Sequence, residues 1–165
     1  MIKRSFNLSL RAEKESALSG YAFKFSEVAD GFFGKERFDP GLNITFNKRC
    51  FLFRDHNPER LLAKLGENLE MQSDDTGLYF RVSTLPDTQL AKDTITLVKN
   101  EILTGVSVGF RSVSERMDDN IRVFEQIEVF EISLVPRPYY ESSEVQARNN
   151  EDNLKVKLKP PELIF

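Results

Sequence analysis

Three side chains in this chain have types and surroundings that could cooperate in chemistry. The sequence holds one histidine and one cysteine, so imidazole chemistry within a single chain falls to His56. His56 lies in Arg54-Asp55-His56-Asn57-Pro58, at the end of a strongly apolar segment. An imidazole held at the rim of a rigid sheet can serve as a general base. The same residue can equally be a half-exposed histidine at a strand end. Ser107 lies in Gly105-Val106-Ser107-Val108-Gly109-Phe110. In a strand, Val106, Val108 and Phe110 share one face, and Ser107, Gly109 and Arg111 the other. The flanking glycines leave room at Ser107, as a nucleophile attacking a carbonyl requires; otherwise Ser107 is a serine on the polar side of a strand. Glu131, in Val129-Phe130-Glu131-Ile132-Ser133-Leu134-Val135, falls on a face with Val129, Ser133 and Val135. A carboxylate there is costly to bury unless paired. It could accept the Nδ1–H of His56 and stabilise the imidazolium, or it could face water at an edge.

Rival assignments can be weighed by reach. If residues 50–56 form one extended strand, Cys50 and His56 face the same side about 20 Å apart, at ~3.3 Å per residue. Cys50 then reads as a buried strand residue. Asp55 as the acid fails because neighbours in a strand point to opposite faces, unless the chain bends at 55–57. Ser133 shares the face of Glu131 but has no glycine beside it, and stands as a minor alternative to Ser107. Arg111 and Arg137 are candidate oxyanion donors, or ordinary surface charges. The sequence offers no phosphate loop, dinucleotide fingerprint or metal-ligand cluster, so no cofactor and no metal are expected.

The elements that must position these residues are mostly strands. Phe6, Leu8 and Leu10 alternate with polar residues, and Tyr21, Phe23 and Phe25 share one face of a second strand with Ala22 and Lys24 on the other. Residues 29–43, with Gly31, Gly34, Pro40 and Gly41, read as loop with a turn at Asp39-Pro40-Gly41. Residues 46–56 form a third strand, ended by Pro58, which has no N–H for a ladder. Residues 66–73 and 78–85 read as a hairpin about the turn at 73–77. One helix is expected over 87–103, with Ala91, Ile95, Val98 and Ile102 as its apolar stripe, Asp87 as its cap and Gly105 just past its end. Strands at 106–113 and a strand pair within 121–135 follow, separated by a turn at 115–120, and Pro136 and Pro138 end the sheet. Strands, one helix, then more strands suit an α+β or mainly β fold. The expected form is a closed or partly open antiparallel β-barrel flanked by helices, because a parallel sheet needs repeated crossovers. The folded domain is expected over residues 1–147. Residues 148–165 are expected to be a flexible C-terminal tail, although Leu154, Val156 and Leu158 alternate with lysines and could add to a sheet edge.

Composition removes other classes. The charge of 23 Lys and Arg against 26 Asp and Glu, or −3, lacks the cationic surplus that phosphate backbones select, so no nucleic-acid partner is expected. One cysteine excludes an internal disulfide. The longest apolar run is too short to span a membrane, and no apolar stretch follows the N-terminal basic residues as in a signal peptide, so no membrane partner is expected. Fourteen phenylalanines with no tryptophan point to a core but to no function.

Five segments, in order, resemble the prohead protease family of tailed phages and prophages, distant relatives of the herpesvirus capsid-maturation proteases. They are SGYAFKF at 19–25, RDHNPERLLAKLG at 54–66, TGLYFRVSTLPDT at 76–88, GVSVGF at 105–110 and FEISLVPRP at 130–138. The resemblance spans about residues 18–147 and implies a herpesvirus-protease-like fold. It implies a serine endopeptidase that cleaves the scaffolding segment or the major capsid protein during procapsid maturation, in the bacterial host cytoplasm. It assigns His56, Ser107 and Glu131 as the triad, in the chain order His, Ser, acid. The herpesvirus enzymes use a second histidine as third member; with one histidine, this chain must use an acid. The resemblance also implies a homodimer or higher assembly, with the helix at 87–103 as one contact surface unless it packs on its own sheet, and it makes the tail a candidate for self-cleavage or scaffold docking. The alternative function is a catalytically inactive capsid-assembly or scaffolding factor that keeps the protease fold.

Overall fold

The computed structural model describes residues 17–31, 33–137, 144–148 and 155–157. The strand expected at 6–10, Pro138 and most of the 148–165 segment lie outside them. The described chain is mainly β, in the order β1 (Leu18–Lys24), β2 (Val28–Gly31), β3 (Gly34–Arg54), β4 (Asn57–Lys64), β5 (Leu69–Ser73), β6 (Gly77–Val82), α1 (Gln89–Lys99), β7 (Gly105–Asp118), β8 (Ile121–Val135), β9 (Glu144–Arg148) and β10 (Lys155–Lys157). One sheet has the order β10-β9-β1-β6-β5. The other runs β2-β3-β8-β7, with β4 also on β3. Among the described residues the two ladders are separate and do not close into a barrel.

The second sheet is also not wholly antiparallel, because β3 and β8 pair in parallel from Glu36↔Arg122 to Arg54↔Leu134. Parallel neighbours need a long connection. Here the chain between them supplies β4 to β7 and α1 rather than a single crossover helix. The expected loop at 29–43 is instead mostly strand: β2 and the start of β3 form a hairpin. Within this stretch Asp39 to Leu42 leave the β8 ladder, which skips from Phe38↔Phe124 to Asn43↔Gln126; farther along it skips again, from Phe46↔Val129 to Phe51↔Glu131. Pro40 has no N–H to offer, and Gly41 has φ +91°, a region open to glycine. The turn residues therefore bend a long strand without ending it.

Pro58 does not end a strand either. The chain reverses at Asp55-His56, and Pro58 sits in β4, where the ladder to β3 shifts between Phe53↔Leu61 and Arg54↔Asn57. Irregular edge strands tolerate proline. The turn expected at 115–120 contracts to Asp119-Asn120 between two long strands, β7 and β8. Pro136 does follow the last residue of β8, but the sheet architecture continues through β9, which pairs with β1.

The sheets meet over phenylalanines. Phe23 of β1 stacks on Phe38 of β3 with ring centroids 3.9 Å apart, and Phe110 and Phe124 pack against Phe38 from β7 and β8. Leu18, Leu52, Leu69, Leu78, Ile127 and Ile132 are fully buried around them. Helix α1 is shorter than the expected 87–103, running Gln89–Lys99, and its cap lies one residue later: Thr88, not Asp87, accepts the Ala91 N–H. Its buried side chains are Ala91, Thr94 and Val98, and it lies against β9 and β4. Glu101, with φ 58°, takes the left-handed position after the helix; Gly105 already belongs to β7, and Ile102 is exposed. Ala91 and Val98 of the apolar stripe therefore pack on the chain's own strands, and Ile102 does not.

Candidate active site

Strand β8 is the spine of the site. On one side it pairs with β3, so that Phe51 faces Glu131 and Phe53 faces Ser133. On the other it pairs antiparallel with β7, so that Gly109 faces Glu131 and Ser107 faces Ser133. Two adjacent rows of the sheet thus bring Ser107, Gly109, Glu131 and Ser133 together. A bulge refines the expected alternation: the ladder passes from Gly109↔Glu131 to Phe110↔Val129, leaving Phe130 as an extra residue. Ile127, Val129, Ile132 and Leu134 can then all be buried in the core. Val129 therefore does not share the face of Glu131, as simple alternation predicts.

His56 arrives from β3. Asp55 and His56 are the two central residues of the β3–β4 hairpin, and both have φ 55°. Paired positive φ values are what the right-handed twist of a two-residue hairpin demands, and Asn-Gly is the usual solution. Asp and His adopt this conformation more readily than most side chains, at a cost on the order of 1 kcal/mol each. The turn is tied down at two amides: the Asp55 N–H donates to the Leu134 carbonyl at 3.1 Å, and the His56 N–H donates to the Ser133 hydroxyl at 3.1 Å. The imidazole therefore lies over β8 and reaches β7.

In that position His56 Nδ1 contacts Glu131 Oε1, and His56 Nε2 lies 3.0 Å from Ser107 Oγ. A tautomer with hydrogen on Nδ1 donates to the Glu131 carboxylate and leaves Nε2 to accept the Ser107 hydroxyl proton. The His56 side chain is 45% exposed and that of Glu131 21%, so the acid is sheltered while the base remains open to a substrate. Gly109 makes this possible. A Cβ there would lie 2.5 Å from Glu131 Cγ, so the glycine gives its space to the glutamate rather than to the serine.

The rivals are occupied elsewhere. Cys50 is fully buried, and burial, followed by the charge of Glu131, pushes its thiol up to about 12. The bend at Asp55 does occur, but its carboxylate accepts from Arg60 at 2.8 Å. Ser133 has no exposed surface. Arg111 is bound to Glu128 at 2.7 Å, and both line a surface cavity of 690 Å³ with Thr45, Asn47 and Val113. Arg137 is exposed just past the end of β8. Among the described residues no group of three or more His, Cys, Asp or Glu side chains is gathered that could hold a metal ion, and no helix is long and apolar enough to cross a membrane.

Residues 5–156 match the family described as the caudovirus prohead serine protease. The chain belongs to that family. No curated protein and no solved structure matches it. Membership makes it a relative of phage capsid-maturation serine proteases and agrees with the resemblance carried by the five segments.

Two features of the site were not legible from spacing alone. One is the buried hydroxyl of Ser133 beneath the His56 turn. The other is the exchange of Gly109 space for the Glu131 side chain. The two-residue offset between Glu131 and Ser133 was visible, but their meeting with His56 depends on the parallel β3–β8 pair.

Proposed function

We propose that this chain is an active serine endopeptidase that cleaves a coat or scaffold segment inside an assembling prohead, with Ser107 as nucleophile, His56 as general base and Glu131 as the acid that orients it. The observation that carries the reading is the continuous contact from Glu131 through His56 to Ser107, with Nε2 3.0 Å from Oγ. In this mechanism His56 Nε2 takes the Ser107 proton as Oγ bonds to a substrate carbonyl carbon. The imidazolium, stabilised by the Glu131 carboxylate, then gives that proton to the departing amine as the C–N bond breaks. Water, activated by the same imidazole, adds to the acyl-enzyme and releases the new carboxyl terminus with Ser107 restored. Oxyanion donors are best sought on the substrate side of Ser107, since Arg111 is engaged by Glu128.

Family membership supports the peptidase class and the prohead as the place of action; the hydrogen-bonded contacts support activity over an inactive assembly factor. A fluorophosphonate probe tests this choice. Covalent labelling of the native chain that maps to Ser107, and is lost in Ser107→Ala, is the expected result. A wild-type chain that stays unlabelled under conditions that label a reference serine hydrolase would favour the inactive factor.

A further inference from the structure

The Asp55-His56 turn has an awkward sequence for its shape. Neither residue is glycine or asparagine, yet both have φ 55°. Asp and His enter the left-handed region more readily than most side chains, but two in succession without a glycine still store strain, and contacts from outside help to hold them. Strand β8 does this with consecutive residues, Ser133 for the His56 N–H and Leu134 for the Asp55 N–H. The two holds differ in kind. The Leu134 acceptor is a backbone carbonyl, present whatever the side chain. The Ser133 acceptor exists only because residue 133 carries a hydroxyl.

Position 133 is constrained in size as well. Its strand neighbours are Phe53 on one side and Ser107 on the other, and the imidazole spans from the turn to Ser107. Ser133 is fully buried, so a longer side chain would fill the space that the turn occupies. An alanine would fit but would leave the His56 N–H without this acceptor.

Resting on the reading of Ser107 and His56 given above, we propose that Ser133 is a positioning residue: its hydroxyl, by accepting the His56 backbone N–H, holds His56 in the left-handed conformation from which Nε2 meets Ser107 Oγ. Ser133 does not touch the reacting atoms. It sets how often the imidazole stands where the serine can use it.

The test uses Ser133→Ala and Ser133→Cys in the full, untagged chain, well below the melting temperature of each variant. Because His56 is the only histidine, ¹⁵N-histidine labelling yields one backbone amide and one imidazole. In Ser133→Ala the His56 amide should lose protection against hydrogen exchange, and the Nδ1–H signal in contact with Glu131 should broaden or vanish. Fluorophosphonate labelling of Ser107 should slow roughly three- to tenfold, the span expected when a half-exposed turn loses one hydrogen bond. Ser133→Cys, which keeps a weak acceptor, should fall between wild type and alanine; if alanine does not fold, the cysteine variant decides against wild type on the same readouts. A merely structural serine would lower the melting temperature of the alanine variant while leaving the His56 signals and the labelling rate of folded protein within twofold of wild type, and that result overturns the proposal. Should wild type itself fail to label, the protease reading falls, while the His56 amide protection still decides whether Ser133 holds the turn.

Discussion

Gly109 faces Glu131 across the β7–β8 ladder, and the carboxylate side chain lies where a Cβ of residue 109 would be, 2.5 Å from Cγ and 3.1 Å from Oε1. The pair explains why a glycine follows the serine by two residues: it leaves room over β7 for the Glu131 side chain that contacts His56. Gly109→Ala should therefore push Glu131 off the imidazole. We expect activity to fall by roughly 10²-fold or more, on the scale of losing the orienting acid, with a small change in melting temperature because the displaced group is a partly exposed side chain.

Gly77→Ala is the matched contrast. There a Cβ would lie 2.1 Å from the Phe23 carbonyl oxygen, and a backbone atom in the β1–β6 ladder cannot swing aside. That variant should lose about 1–3 kcal/mol of stability, while folded protein keeps its rate per molecule. Paired thermal unfolding and labelling measurements separate the two glycines; equal effects on both readouts would remove the distinction.

Glu131→Gln keeps the shape of the acid and removes its charge. The rate of cleavage or labelling should fall roughly 10²- to 10⁴-fold, less completely than in Ser107→Ala, because the acid orients while His56 and Ser107 do the chemistry. Asp55→Asn should stay within about threefold of wild type, since Asp55 is held by Arg60 and not by the imidazole. A reversal of that order, measured under one set of conditions, would reassign the acid.

Cys50 makes a prediction about pH. With its thiol pushed up to about 12 by burial and by Glu131, thiolate is scarce at any pH below that value, and the sulfur is enclosed. An iodoacetamide reagent at pH 8 should modify the native chain negligibly and the denatured chain fully, as intact mass would show. Rapid native alkylation with loss of activity would bring Cys50 back as a functional residue.

Local pattern revealed the mainly β class, the hairpin at 66–85, the helix with Ala91 and Val98 inward, and the three segments that carry His56, Ser107 and Glu131. Each depends on period or on turn residues within a dozen positions. Pairing between distant strands was not legible. Nothing near residue 36 or residue 122 announces that β3 and β8 run parallel, so an antiparallel barrel was the natural expectation. Pro40-Gly41 and Pro58 misled for a related reason: a proline marks where a ladder is interrupted, and only tertiary context says whether the strand resumes. Phe130 adds one residue to β8 and shifts the alternation on either side, so the face of Glu131 could be assigned to Ser133 but not to Val129. The gathering of the three candidate side chains depends on that register, and the residues were singled out by type, by neighbouring glycines and by resemblance before their contact was visible.

The central claim is tested most directly by incubating a purified coat or scaffold precursor with the wild-type chain and with Ser107→Ala, and following both substrate and enzyme by intact mass. The account predicts discrete new termini with wild type only, no cleavage with Ser107→Ala, and the same melting temperature for the two proteins within a few degrees, since removing one hydroxyl from a partly exposed strand position leaves little cavity. Cleavage by Ser107→Ala at the wild-type rate, or none by a folded wild type on its cognate precursor, would contradict it.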